Sequence, residues 1–254
     1  MKKIGLLSVL CALVLAACGG GGGSNDDGKA ANNADVPPAV NGDFEAQGMY
    51  SGTDANGDKV SGVVLDNGTY YFVYVNQATN ALGLVQGTAT ASNAVFNSAD
   101  AFDYQIYRST AVHGSVNAAY FPQTSLNGSF TSAANESASF STTYSTVYDE
   151  TPNLAAISGT YNGAGATFRG SETVTFVIYS NGSVYGSGPS GCSFSGNVKV
   201  HGTKNVYDTA IVFGDKCPNR GETFTGVVSV NGNALIAAAT HPDRSEAFVV
   251  AATR

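Results

Sequence analysis

The chain has 254 residues, with 12 Lys and Arg against 19 Asp and Glu, a formal net charge of −7, 31 Gly, 13 Tyr, 13 Phe and no Trp. That composition excludes a coiled coil, which needs abundant Glu, Lys and Leu at heptad spacing, and a nucleic-acid binder, which needs a basic face. It also excludes disorder along the whole chain, which goes with few aromatic residues.

The first element is an address. Lys2 and Lys3 form a short positive start, and the run from Ile4 to Ala17 is apolar, broken only by Gly5, Ser8 and Cys11. A membrane-spanning helix needs about 20 apolar residues, so this run is too short to be one. It fits the apolar core of a secretory leader. The run ends in Leu15-Ala16-Ala17-Cys18, which resembles the lipobox of bacterial lipoproteins. The resemblance implies cleavage of a leader at residues 1–17 and acyl chains on the sulfur and nitrogen of Cys18. Each buried CH₂ contributes about 0.8 kcal/mol, so several acyl chains anchor firmly. Gly19 and Gly20 follow Cys18, where an Asp resembles an inner-membrane retention signal. The expected location is therefore the outer membrane of a Gram-negative bacterium, with outward and periplasmic orientations both open.

Residues 18–43 read as a lipidated tether. The segment from Gly19 to Asp35 holds Gly, Ser, Asn, Asp, Ala and one Lys, with no Val, Ile, Leu or aromatic residue. It has too little apolar area to offset the entropy of ordering it. A flexible linker of this size spans roughly 30 Å on average.

From about residue 46 the pattern changes to short strand-like runs. Tyr70, Phe72 and Tyr74 alternate with Tyr71, Val73 and Val75, and Val174, Phe176 and Ile178 alternate with Thr173, Thr175 and Val177. Period two is the strand signature. Asn67-Gly68, Asn181-Gly182 and Asn231-Gly232 are expected to make type I′ hairpin turns. Asn153 to Ile157 has room for one helical turn. A weak repeat relates Gly48-Met49-Tyr50-Ser51-Gly52 to Gly159-Thr160-Tyr161-Asn162-Gly163, and Val64 to Tyr70 to Ile178 to Val184. Leu126 to Phe130 is matched in the same way to Phe224 to Val228. The fold class is therefore all-β: two tandem small antiparallel β-barrel or β-sandwich domains, 44–150 and 151–254, behind the Gly-rich tether. Pro152 marks the join. One continuous sandwich is the competing arrangement.

Chemistry is sparse. His113, His201 and His241 each stand beside a turn residue and read as solvent-exposed loop histidines; no two are close enough in sequence to suggest a zinc site. Asp54-Ala55-Asn56-Gly57-Asp58 reads as a hairpin turn rather than a calcium loop, lacking the distal Glu. Asp149-Glu150 reads as a solvated linker. His201, Asp208 and Ser190 can be drawn as a triad but carry no weight as one, and no nucleophile elbow is present. No enzyme activity, metal or cofactor is expected, although a hydrolase with carboxylates gathered from distant strands stays as a remote alternative. The many Tyr of the first half read first as strand formers and second as a recognition surface. After Cys11 and Cys18 are set aside, Cys192 and Cys217 remain. A hairpin between them brings its ends together, so these two are expected to form a disulfide in an oxidising compartment.

In layout the chain resembles Gram-negative surface lipoproteins such as transferrin-binding protein B and factor H-binding protein: a lipobox, a Gly-rich tether and small β domains. The Gly-Phe-Tyr-Gly and Gly-Gly-x-Phe motifs associated with those barrels are absent from this sequence. The resemblance thus implies architecture alone. The function expected is that of an outer-membrane-anchored, non-catalytic module that binds a host protein or a small ligand. A structural envelope lipoprotein without a diffusible ligand is the alternative.

Overall fold

Alternating side chains produce strands almost throughout. A computed structural model describes residues 44–254 apart from Ala78. The leader, Cys18 and the tether lie outside the described residues. The first half contains β1 (Gly48–Asp54), β2 (Lys59–Val64), β3 (Thr69–Val75), β4 (Leu82–Thr88) and β5 (Thr90–Ser92), then β6 (Val95–Gln105), β7 (Thr110–Phe121), β8 (Ser125–Ser132) and β9 (Ser137–Ser145). Each strand is antiparallel to its neighbours, β1 closes on β9, and β4 and β5 share β6 as a partner, so together they act as one bent stave. The second half contains α1 (Leu154–Ile157), β10 (Gly159–Thr167), β11 (Gly170–Ile178), β12 (Ser183–Ser187) and β13 (Ser193–Val200), then β14 (Tyr207–Phe213), β15 (Thr223–Asn231), β16 (Ala234–Thr240) and β17 (Ala247–Thr253). It closes through β10 and β17. Two eight-stave antiparallel barrels result, not sandwiches.

The repeat is physical where the first strands are concerned. The Tyr50 hydroxyl donates to the Ala46 carbonyl at 3.0 Å, and the Tyr161 hydroxyl donates to the Ile157 carbonyl at 2.8 Å. Each tyrosine thereby latches the segment leading into its barrel. The β2–β3 and β11–β12 hairpins also match. Gly68 (φ +81°) and Gly182 (φ +84°) each supply a left-handed residue, and Asn67 and Asn181 each accept an N–H two residues on, both at 2.9 Å. Neither Asn has positive φ, so these hairpins are not the expected type I′ turns; glycine alone carries the reversed backbone. In the β15–β16 turn Gly232 (φ +59°) is the first central residue, the place glycine takes in a type II′ turn. Both centres are positive in the β5–β6 turn, at Asn93 and Ala94, which the sequence did not mark. The third expected correspondence fails: Leu126 to Phe130 lies in β8, seventh of its eight staves, whereas Phe224 to Val228 lies in β15, sixth of its eight.

Pro152 lies between β9 and α1, and the described residues on both sides of it belong to one compact unit. Their barrels meet wall to wall. Val73, Leu82, Leu84 and Tyr104 of the first barrel pack with Ala238, Ala247 and Val249 of the second. That is why β3 is apolar on both faces: Tyr70 and Phe72 fill its own barrel while Val73 is buried under its neighbour. A bulge in β6 between Ser98 and Ala101 makes this possible. Before the bulge Phe96 and Ser98 are buried; after it Ala101 and Asp103 take the inner face, leaving Phe102 and Tyr104 on the contact wall. An extra residue re-aims every side chain that follows it.

Polar contacts finish the joint. Arg244 (φ +60°) reaches from the β16–β17 turn across Phe102, its guanidinium carbon 4.3 Å from the ring centroid. It donates to the Asp100 carboxylate at 3.1 Å and to the Asp100 and Gln86 carbonyls at 2.7 and 3.2 Å. Asp149 is no solvated linker: it accepts from Tyr144 at 2.7 Å and from Lys204 of the second barrel at 2.8 Å. His201 is no exposed loop residue either. Its side chain is 16% exposed, held between Asp208 Oδ1 at 2.8 Å and Asp66 Oδ1 of the first barrel at 3.1 Å.

Burial opposes the charged His201 ring, but the hydrogen bonds and charges of Asp66 and Asp208 outweigh it and raise the pKa above the ordinary 6.5. A raised folded-state pKa stabilises the fold in full below the unfolded value and loses that contribution as pH rises through the folded value. Both carboxylates are about half exposed, so the contribution is about 1 kcal/mol or less. Urea denaturation of the unmodified chain and His201→Gln is expected to differ most below about pH 6 and to converge as pH rises through the raised folded-state value. Midpoints that separate further at high pH contradict this arrangement.

Candidate functional site

Each barrel has a plugged end and an open end. Phe44 and Ala46 pack into the lower end of the first barrel, where Phe44 meets Phe96 edge-on at 6.4 Å and the Tyr120 hydroxyl donates to Glu45 at 2.5 Å. Leu154 and Ile157 do the same for the second, with Asn153 capping α1 by accepting the Ala155 N–H at 2.9 Å. The opposite ends each hold a cavity, of about 240 Å³ in the first barrel and about 260 Å³ in the second.

The second barrel's mouth is stapled and internally paired. The Cys192–Cys217 bridge forms as expected, with Cα atoms 4.4 Å apart, and ties the β12–β13 connection to the β14–β15 connection. Phe194, Phe213 and Phe248 close the space beneath, their ring centroids 5.0 to 5.8 Å apart. Arg169 pairs with Glu222 and Glu246, each at 3.2 Å. The Ser190 hydroxyl donates to Glu172 at 2.8 Å. Ser190 therefore has another partner, and all of β13 separates it from His201, about 25 Å at the rise of a strand. The drawn triad does not assemble.

The first barrel's mouth is different. The β1–β2, β3–β4, β6–β7 and β8–β9 connections surround it. Phe72, Phe130 and Phe140 form its apolar lining, with Val60 and Val116. Inside stands Asp103, 8% exposed. Tyr74 donates to its Oδ1 and Gln105 Nε2 to its Oδ2, both at 2.8 Å. Burial raises the Asp103 pKa, while the Gln105 and Tyr74 hydrogen bonds and the Arg108 charge pull it back in part. The same carboxylate holds the Tyr74 hydroxyl well above its ordinary value, after burial has done most of the work. At the rim, Asp54 accepts the Asn56 and Asp58 N–H groups at 2.8 Å, as a hairpin turn requires. Asp58 is buried and accepts from Asn76 Nδ2 at 2.9 Å and from the Gln77 N–H at 2.8 Å. Tyr107 is half exposed at the lip.

Most tyrosines are core residues rather than a surface for recognition. Tyr50, Tyr70, Tyr104, Tyr120 and Tyr148 are at most 2% exposed. His113 is exposed but lies within β7, against Phe102, and not in a loop. His241 is partly buried and bonded to Asp243 at 2.5 Å. Among the described residues, no three His, Cys, Asp or Glu side chains gather as a metal ion would require, and no helix is long and apolar enough to cross a membrane. Asp103 and Gln105 were missed by sequence reasoning. The available signal was an acid flanked by two aromatics in Phe102-Asp103-Tyr104, but which face it takes depends on the bulge. The chain matches no protein-family model, no curated protein and no solved structure.

Proposed function

We propose that this chain is an outer-membrane lipoprotein anchored through Cys18, and that its paired barrels serve as a non-catalytic binding module whose site is the mouth of the first barrel. One observation carries the binding half of this reading: an apolar, aromatic-lined cavity with a buried carboxylate inside it. Concave apolar space with a few placed polar groups is the usual form of a small-ligand site. An eight-stranded barrel is wide enough to hold one small ligand when its interior is not filled. The described residues begin at Phe44, at the plugged end of the first barrel, opposite the mouth.

The test has two arms. Cys18→Ser is expected to leave the membrane fraction after a high-salt wash; retention there contradicts the anchor. A screen of ring-bearing small molecules by nuclear magnetic resonance is expected to shift Phe72, Tyr74 and Phe140 first. Shifts gathered at the second barrel, or none at all, contradict the site.

A further inference from the structure

We infer that the mouth of the first barrel takes a small organic ammonium: a ring with a short tail ending in a protonated amine. The inference rests on the mouth being a ligand site at all, and adds the chemical class.

Size sets the first limit. An apolar cavity of about 150 Å³ holds one benzene ring. The 240 Å³ here holds a ring and a short tail, and nothing much larger. The lining sets the second. Phe72 and Phe140, 6.0 Å apart at 31°, both line the cavity, and aromatic walls suit an aromatic body and a cation.

Asp103 sets the third. Each of its oxygens receives one hydrogen bond, from Tyr74 and from Gln105, while an ionised carboxylate has about four acceptor sites. Acceptor capacity is left over, on a residue only 8% exposed. A group that brings N–H donors and a positive charge satisfies that capacity and offsets the burial that works against the carboxylate. A neutral hydroxyl supplies a donor without the charge. An anion meets Asp54, Asp58 and Asp103 together. The nearby base, Arg108, is exposed; its guanidinium stands 5.2 Å from the Tyr107 ring centroid and donates to Gln105 Oε1 at 3.3 Å. It therefore does not occupy the acceptor sites of Asp103.

The probes are phenethylamine and its neutral counterpart phenethyl alcohol, titrated calorimetrically into the full chain. The amine is expected to bind about tenfold or more tightly, the discrimination that a charge-assisted hydrogen bond gives. Asp103→Asn is expected to bring the two probes together. Equal binding of both to the unmodified chain overturns the ammonium class and leaves the ligand site standing. A preference that survives Asp103→Asn overturns Asp103 as the recognising group. Binding of neither probe overturns the site itself. The comparison on the unmodified chain decides the class even where Asp103→Asn does not fold.

Discussion

Reduction of the Cys192–Cys217 bridge is expected to lower the stability of the chain by about 3.5 kcal/mol. The two cysteines are 25 residues apart in sequence, and a cross-link over a loop of that length removes about this much freedom from the unfolded chain in the entropy model. Cys217 is 6% exposed and belongs to the core of the second barrel, with Cys192 packed against it. Breaking the bridge thus frees the β14–β15 connection and disturbs apolar packing in the same place. The covalent change itself is confined to that mouth, because the described part of the first barrel has no cysteine. Urea midpoints with and without reductant measure the effect. An unchanged midpoint, or two alkyl groups on the unreduced protein by intact mass, shows that the bridge does not form in solution.

Adding one methyl group at the closing seam should cost as much. Gly163 of β10 faces β17, and a Cβ there falls 2.1 Å from the Ala251 carbonyl oxygen and 2.5 Å from Ala252 Cα. Both are backbone atoms, so no side chain can turn aside. Either the strands separate, and lose hydrogen bonds where the barrel closes, or the chain bends. Overpacking of a rigid site costs typically 1–3 kcal/mol, and the backbone clash places Gly163→Ala at about 3 kcal/mol or above. Thr160→Ala, at an exposed position of the same strand, is the control and should cost about 1 kcal/mol at most. Equal midpoints for the two variants contradict the seam. Gly52 repeats the arrangement in the first barrel, where a Cβ falls 1.9 Å from the Ser141 carbonyl oxygen.

These two glycines also show what the sequence could reveal. Gly52 and Gly163 stand at matching places in the repeat, and Tyr50 and Tyr161 with them, so the doubled all-β architecture was legible from a few residues. Strand alternation was legible as well, because a barrel wall separates its two faces with period two. Barrel rather than sandwich was not legible, since closure depends on β1 meeting β9 and β10 meeting β17, pairings with no local signature. The wall shared by the barrels was hidden for another reason: β3 reads as a good strand whether Val73 faces water or a neighbour. The site was hidden behind the bulge in β6. A shift of one residue decides whether Asp103 or Phe102 enters the cavity, and nothing near Ser98 and Ala101 announces it. The disulfide was the exception, since two leftover cysteines at the ends of one expected hairpin allow a single pairing.

Closure has a bearing on how copies of this protein behave when crowded. A surface that gathers tethered molecules, as the proposed anchor does, raises their effective concentration far above that in free solution. Open sheets are hazardous there, because an unpaired strand edge is a template on which a second chain can add. In each barrel here the first strand is hydrogen-bonded to the last; among the described residues the three-residue β5, paired with β6 alone, is left as an edge, and so short an edge is a poor template for a neighbour. Dense packing on a membrane then carries little penalty of strand-to-strand polymerisation so long as both seams stay shut. The methyl group that forces open the seam at Gly163 exposes two edges at once, and should convert a loss of stability into a gain of aggregation.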